Sequence, residues 1–156
     1  MKVKVGNEEI DLDPGVMNFS ELTLNEFLTK DAGNYSYYHG KMVDAQYIAS
    51  KYEDAYDNLY YTKFCEFKET GMAVATAEAT AKCDKDVIEA QQKARITKRV
   101  KDQLWGFLKS LDKAHENALN LGYNVRKELN VLGTSTVNEK LDKLDKKKDH
   151  NDIIVD

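Results

Sequence analysis

"QQKARITKRVKDQLWGFLKSL", residues 91–111, decides how this chain is read. On a helical wheel of about 100° per residue, Val100, Leu104, Phe107 and Leu111 share one line. Ala90, Thr97, Ala114, Ala118 and Leu121 continue it at steps of three and four, with Lys93 the one charged position on it. That is heptad spacing, and it predicts a helix from about Asp84 to Leu121 with one buried seam. Gly122 is expected to stop or kink it, and "NVRKELNVLG" (124–133) to add a turn or two. Trp105, the only tryptophan, falls near 140° from Val100, almost opposite the seam. It stands between Lys101 and Lys109, with Arg95 and Lys98 further along the same broad face. Two readings follow. Trp105 is a platform on which bases stack while lysines neutralise phosphate. Or, with Leu108 and Ile96, it packs against another protomer. Asp102, Asp112 and Glu116 share the polar face and dilute its charge.

A second seam lies upstream. Tyr38, Met42, Ala45, Ala49, Tyr52, Tyr56 and Leu59 recur at steps of four and three, predicting a helix from about Ser36 to Glu69. Tyr38, Tyr52 and Tyr56 are expected in the core. Thr70-Gly71 marks a break, and the alanine-rich "MAVATAEATAK" after it is helix-prone. Thr23-x-x-Glu26 has the pattern of a capping box before Leu24, Phe27 and Leu28, and Gly33-Asn34 is expected to end that short helix. At the start, Val3, Val5, Ile10 and Leu12 alternate with polar residues around Gly6-Asn7, which suits a tight hairpin. Two strands alone are marginal in water, so the hairpin must pack on something. "DPG" at Asp13–Gly15 breaks the chain. Residues 134–156 are polar and repetitive (KLDKLDKKKD), predicting a flexible C-terminal tail, with a frayed helix as the alternative. Its tip, "DHNDIIVD", sets aliphatic residues among aspartates, as in a plain solubilising tail or a segment that docks into a basic-rimmed groove.

The expected fold is therefore mainly α. An antiparallel long-helix hairpin assembles into a homo-oligomeric ring or bundle, because two helices alone leave too much seam uncovered. It carries a β-hairpin at residues 1–15, the helical oligomerisation and binding domain at 16–133, and the tail at 134–156.

Composition sets outer bounds. With 156 residues, 42% hydrophobic and 32% charged, the chain is globular but rich in exposed helix surface. Net charge is −4, unevenly spread: residues 1–35 and 36–90 each carry −4, residues 91–133 carry +5, and 134–156 carry −1. A local basic segment binds phosphate whatever the global sign, because the field at the contact decides. Eight of nine tyrosines fall between Tyr35 and Tyr61. In "NLYYTKFCEFK", Tyr60, Tyr61, Phe64 and Phe67 alternate with Lys63 and Lys68; such a mixture binds a strand or forms an assembly interface. Cys65 and Cys83 give no pairing framework, no apolar leader opens the chain, and no run is long enough for a membrane helix, so a cytoplasmic setting is expected. No His or Cys pair forms a metal face, "GKM" at Gly40–Met42 lacks the rest of a phosphate loop, and no catalytic signature occurs. Asp84 and Asp86 suit the capped start of a helix better than a carboxylate pair. Neither an enzyme, a metal nor a cofactor is expected.

The order of "DKDV" at Asp84–Val87, "WGF" at Trp105–Phe107 and "LGYNVRKEL" at Leu121–Leu129 after a helical hairpin resembles the UvsY recombination-mediator family of large tailed phages, over about residues 20–130. The resemblance implies a small helical protein that forms a closed ring. It implies non-specific binding of single-stranded DNA and help for a RecA-type recombinase in displacing single-strand-binding protein, in the host cytoplasm and without catalysis. It also implies a basic, "LKAR"-like cluster near the end of the first long helix. Here that region reads "LYYTKFCEFK", with only Lys63 and Lys68 basic, so the contact shifts toward "KARITKRVK" at Lys93–Lys101. Expected DNA contacts are Lys63, Lys68, Lys93, Arg95, Lys98, Arg99 and Lys101 to phosphate, with Trp105 and Tyr61 stacking. The competing reading is a coiled-coil scaffold or virion-assembly protein that binds no nucleic acid.

Overall fold

The computed structural model describes the backbone of residues 1–148 and the side chains of residues 1–131. Strands β1 (Lys2–Val5) and β2 (Glu8–Asp11) form an antiparallel hairpin with Val3 opposite Ile10. Gly6, at φ +61°, takes the first central position of the two-residue turn, where a side chain would strain the backbone. Asp13 then caps a 3-10 turn, Pro14–Met17, through its carboxylate and the Gly15 N–H. Three helices follow: α1 (Leu24–Glu69), α2 (Val74–Cys83) and α3 (Lys85–Lys148). Between α1 and α2, Gly71 turns the chain at φ +86°. The Asp84 side chain accepts from the Asp86 N–H and caps the start of α3.

α1 and α3 pack antiparallel. Gln91 meets Tyr56, Phe107 meets Tyr38, His115 meets Asp31, and Gly122 meets Leu24, so partners rise along one helix as they fall along the other. The core sits where the β-hairpin lies across both helices. Val3, Val5, Ile10 and Leu12, one face of the hairpin, are buried against Tyr38, Met42, Ala45, Leu104, Leu108 and Leu111. The hairpin thus supplies cover that the sequence reading assigned to neighbouring protomers. Leu108 belongs to this intramolecular core rather than to a second packing face. Two polar contacts pin the hairpin down: the Tyr38 hydroxyl donates to the Asp11 carbonyl at 3.0 Å, and Lys41 pairs with Glu8 at 2.6 Å. Burial pushes the Tyr38 phenol above its usual range, and the hydrogen bond to Glu8 raises Lys41.

Several sequence expectations change. α1 does not end at Gly33-Asn34; it runs unbroken for 46 residues. The apolar stripe passes through that point because Leu24, Phe27, Asp31, Tyr38 and Met42 are all buried on one side of one helix. The Thr23–Glu26 capping box does not form. Thr23 occupies the cap position, but its hydroxyl oxygen accepts from the Ser20 N–H, and Glu26 turns to Lys30, whose hydrogen bond lowers the Glu26 pKa. Tyr52 is exposed and Tyr56 half-buried, because the facing positions of α3 are Lys93, Thr97 and Ala94, too small or too polar to close over them. Gly122 does not stop α3; the Leu24 side chain approaches it closely, 3.4 Å from where a Cβ would stand. The backbone of 134–148 is the helix that the KLDKL half-heptad allowed, while the tip at 149–156 lies outside the described residues.

A continuous α1 makes a direct prediction. Gly33 faces open space in a helix interior, so Gly33→Ala stabilises the protein by roughly 0.5–1 kcal/mol through helix propensity alone. A thermal melt checks this, and a lowered Tm would mean that the helix breaks where the sequence suggested.

Candidate nucleic-acid interface

Trp105 points outward. It is 48% exposed, and Lys109 Nζ lies 5.3 Å from its ring centroid. Its neighbours on the buried side of α3, Leu104, Phe107 and Leu108, fill the core and leave the indole on the opposite face. A lysine over an indole is already a cation–π pair, and the two form a ready surface for an aromatic base and its phosphate.

The expected basic residues do not form one patch. Arg95, Lys98 and Lys101 line a groove of about 320 Å³ between α3 and α1. The α1 side of that groove carries Gln46, Ser50, Glu53 and Asp57, so two carboxylates face the three cations. Lys101 also lies 3.4 Å from Asp102. Arg95, Lys98 and Arg99 take part in none of the ion pairs within 4 Å among the described residues. Arg99 is exposed on another side of α3.

Lys93 lies apart from these. It lines a groove of about 510 Å³ on the other side of the α1–α3 contact, bounded by the hairpin turn. No local pattern signals this second groove, since its lysines, Lys4, Lys51 and Lys93, come from three separate elements. Aromatic Tyr47 and Tyr52 stand beside them, and no acidic side chain lines it.

The remaining expected contacts sit at the far end of α1. Lys63 is partly buried and hydrogen-bonded to Glu66 at 3.1 Å, and that bond, with Asp84 and Asp86 nearby, raises its pKa. Ringed by carboxylates, it is a poor phosphate ligand. Lys68 is exposed, and Tyr61, 63% exposed, meets Tyr60 edge-on. Cys65 and Cys83 are exposed thiols. Among the described residues, no cluster of His, Cys, Asp or Glu is placed to hold a metal ion, and no helix is long and apolar enough to cross a membrane.

No protein-family model, curated protein or solved structure matches the chain.

Proposed function

We propose that this protein is a non-enzymatic accessory factor that binds single-stranded DNA along the outer face of α3. In the terms of the resemblance, it is a recombination mediator that assembles as a homo-oligomer and helps a RecA-type recombinase replace single-strand-binding protein, in the cytoplasm of the host cell. The observation that carries the reading is the outward Trp105 with Lys109 against its ring; Arg95 and Lys98, which join no ion pair among the described residues, lie further toward the start of α3, in the groove it shares with α1. Indole and cations along one helix suit a strand without sequence preference, because every base has a stacking face. Lys101, Arg99 and Lys68 add charge at the margins. Repetition of a weak site around an oligomer raises avidity without strong charge on each protomer.

Fluorescence anisotropy with a labelled oligo-dT across a salt series tests this. Three or four phosphate contacts give a log–log salt slope of about −2 to −3 for a single strand. Trp105→Ala is expected to weaken binding by about 5- to 150-fold, the loss of one stacked base, with the oligomeric state unchanged. No binding by the wild-type protein at low salt would sink the proposal. In its place would stand the coiled-coil scaffold or virion-assembly reading, which Glu53 and Asp57 favour by facing the cations of the α3 groove.

A further inference from the structure

The groove under the hairpin turn combines two properties seldom found together on an acidic protein. Four aliphatic side chains line it, Val5 from β1, Ile48 from α1, and Ile96 and Val100 from α3, beside Tyr47 and Tyr52. Its rim is cationic, with Lys4, Lys51 and Lys93 and no carboxylate. The lysines next to it are already satisfied, Lys2 by Glu9 and Lys41 by Glu8. The three rim lysines take part in none of the ion pairs among the described residues. Ile96 in this lining is 63% exposed, apolar surface that water covers poorly. An occupant that fits is a short aliphatic run flanked by acids.

The C-terminal segment is the longest such run in the chain. Residues 149–156, "DHNDIIVD", set Ile153, Ile154 and Val155 between Asp152 and Asp156, with Asp149 just before. Three aspartates match three lysines, and three aliphatic side chains match the aliphatic lining. Reach decides whose segment this is. Lys148 lies 48 residues beyond Val100 on unbroken α3, about 72 Å at 1.5 Å per residue. Eight residues span at most about 29 Å when fully extended. A copy's own segment therefore falls far short of its own groove.

We infer that the groove is the docking site for residues 149–156 of a second copy of this chain, so that copies join head to tail. Such a contact is heterologous: it closes a ring where the rotation allows and otherwise continues as a filament. The inference stands on the groove and the segment, independently of the DNA-binding proposal. Tyr47 and Tyr52 beside the lysines also offer rings on which a base stacks, so the test includes an arm that reads a strand at those two rings, while the aliphatic lining matches the segment.

Carbodiimide coupling of the full-length protein, mixed from unlabelled and 15N-labelled copies and without DNA, tests it. The reagent joins a lysine amine to a touching carboxylate with loss of water. Expected products join Lys4, Lys51 or Lys93 to Asp149, Asp152 or Asp156, with one peptide from each isotope pool. Links only within one pool, or links from the segment to other lysines, would overturn the inference. So would their absence, as would photocrosslinking of a single strand to Tyr47 or Tyr52. In sedimentation velocity, Lys51→Glu/Lys93→Glu is expected to weaken self-association by about tenfold or more through like-charge contact. Adding Asp152→Lys/Asp156→Lys to that variant restores it. Loss without rescue would count against the pairing, and circular dichroism of each variant separates that result from misfolding.

Discussion

Leu104→Ala is expected to cost roughly 2–5 kcal/mol and to lower Tm by roughly 5–15 °C. Leu104 is fully buried where β1, β2, α1 and α3 converge, in one cluster with Ile10, Leu12, Met42 and Leu108. Truncation removes apolar contact and leaves a cavity whose walls, two long helices and a pinned hairpin, are poorly able to collapse. The hairpin has no other core to join, and two strands are marginal when alone. Its release should therefore accompany unfolding, seen as early exchange of the Val3 and Ile10 amides. Leu119→Ala, on the same helix and 52% exposed, serves as the control and should move stability by less than about 0.5 kcal/mol. A thermal melt by circular dichroism reads both variants. Equal small effects would mean that the hairpin does not seat on α3.

The second large effect concerns a pair that no motif announces. Asp31 is 7% exposed and is the one buried charged residue among the described residues, and its carboxylate lies 2.7 Å from His115 Nδ1. A carboxylate only accepts, so the imidazole donates from Nδ1. His115→Ala leaves that carboxylate buried with its hydrogen bond removed, and the expected loss is roughly 1–3 kcal/mol. Asp31→Leu is expected to behave differently. It places an apolar residue on the buried stripe beside Phe27 and Ala114, and His115, half exposed, turns to water. Replacement of a buried hydrogen-bonded carboxylate by apolar packing is often neutral or stabilising, here by up to about 2 kcal/mol. Chemical denaturation of both variants gives the comparison. Equal destabilisation by both would show that the pair itself stabilises the fold, beyond avoiding an unpaired charge.

The same pair explains why α1 reads as two helices in the sequence. Running back from Tyr38, the apolar stripe meets the Gly33-Asn34 dipeptide and then polar Asp31, which locally look like its end. The stripe in fact continues, because the polar residue on it finds its partner 84 positions away on α3. No local pattern carries that information.

The sequence alone determined the two heptad seams, the break at Thr70-Gly71, the hairpin around Gly6, the cap at Asp84 and the outward face of Trp105. Each depends on periodicity or turn chemistry within a few residues, and such signals survive any tertiary arrangement. Only the tertiary structure decided that the hairpin covers the seam, that Tyr52 and Tyr56 are left at its edge, and that the basic run splits. Lys93 falls in one groove and Arg95, Lys98 and Lys101 in another, while Lys63 sits among carboxylates. Charge acts through space, so the field at a lysine is set by whatever the fold brings opposite it, and a count of cations along one helix cannot supply that.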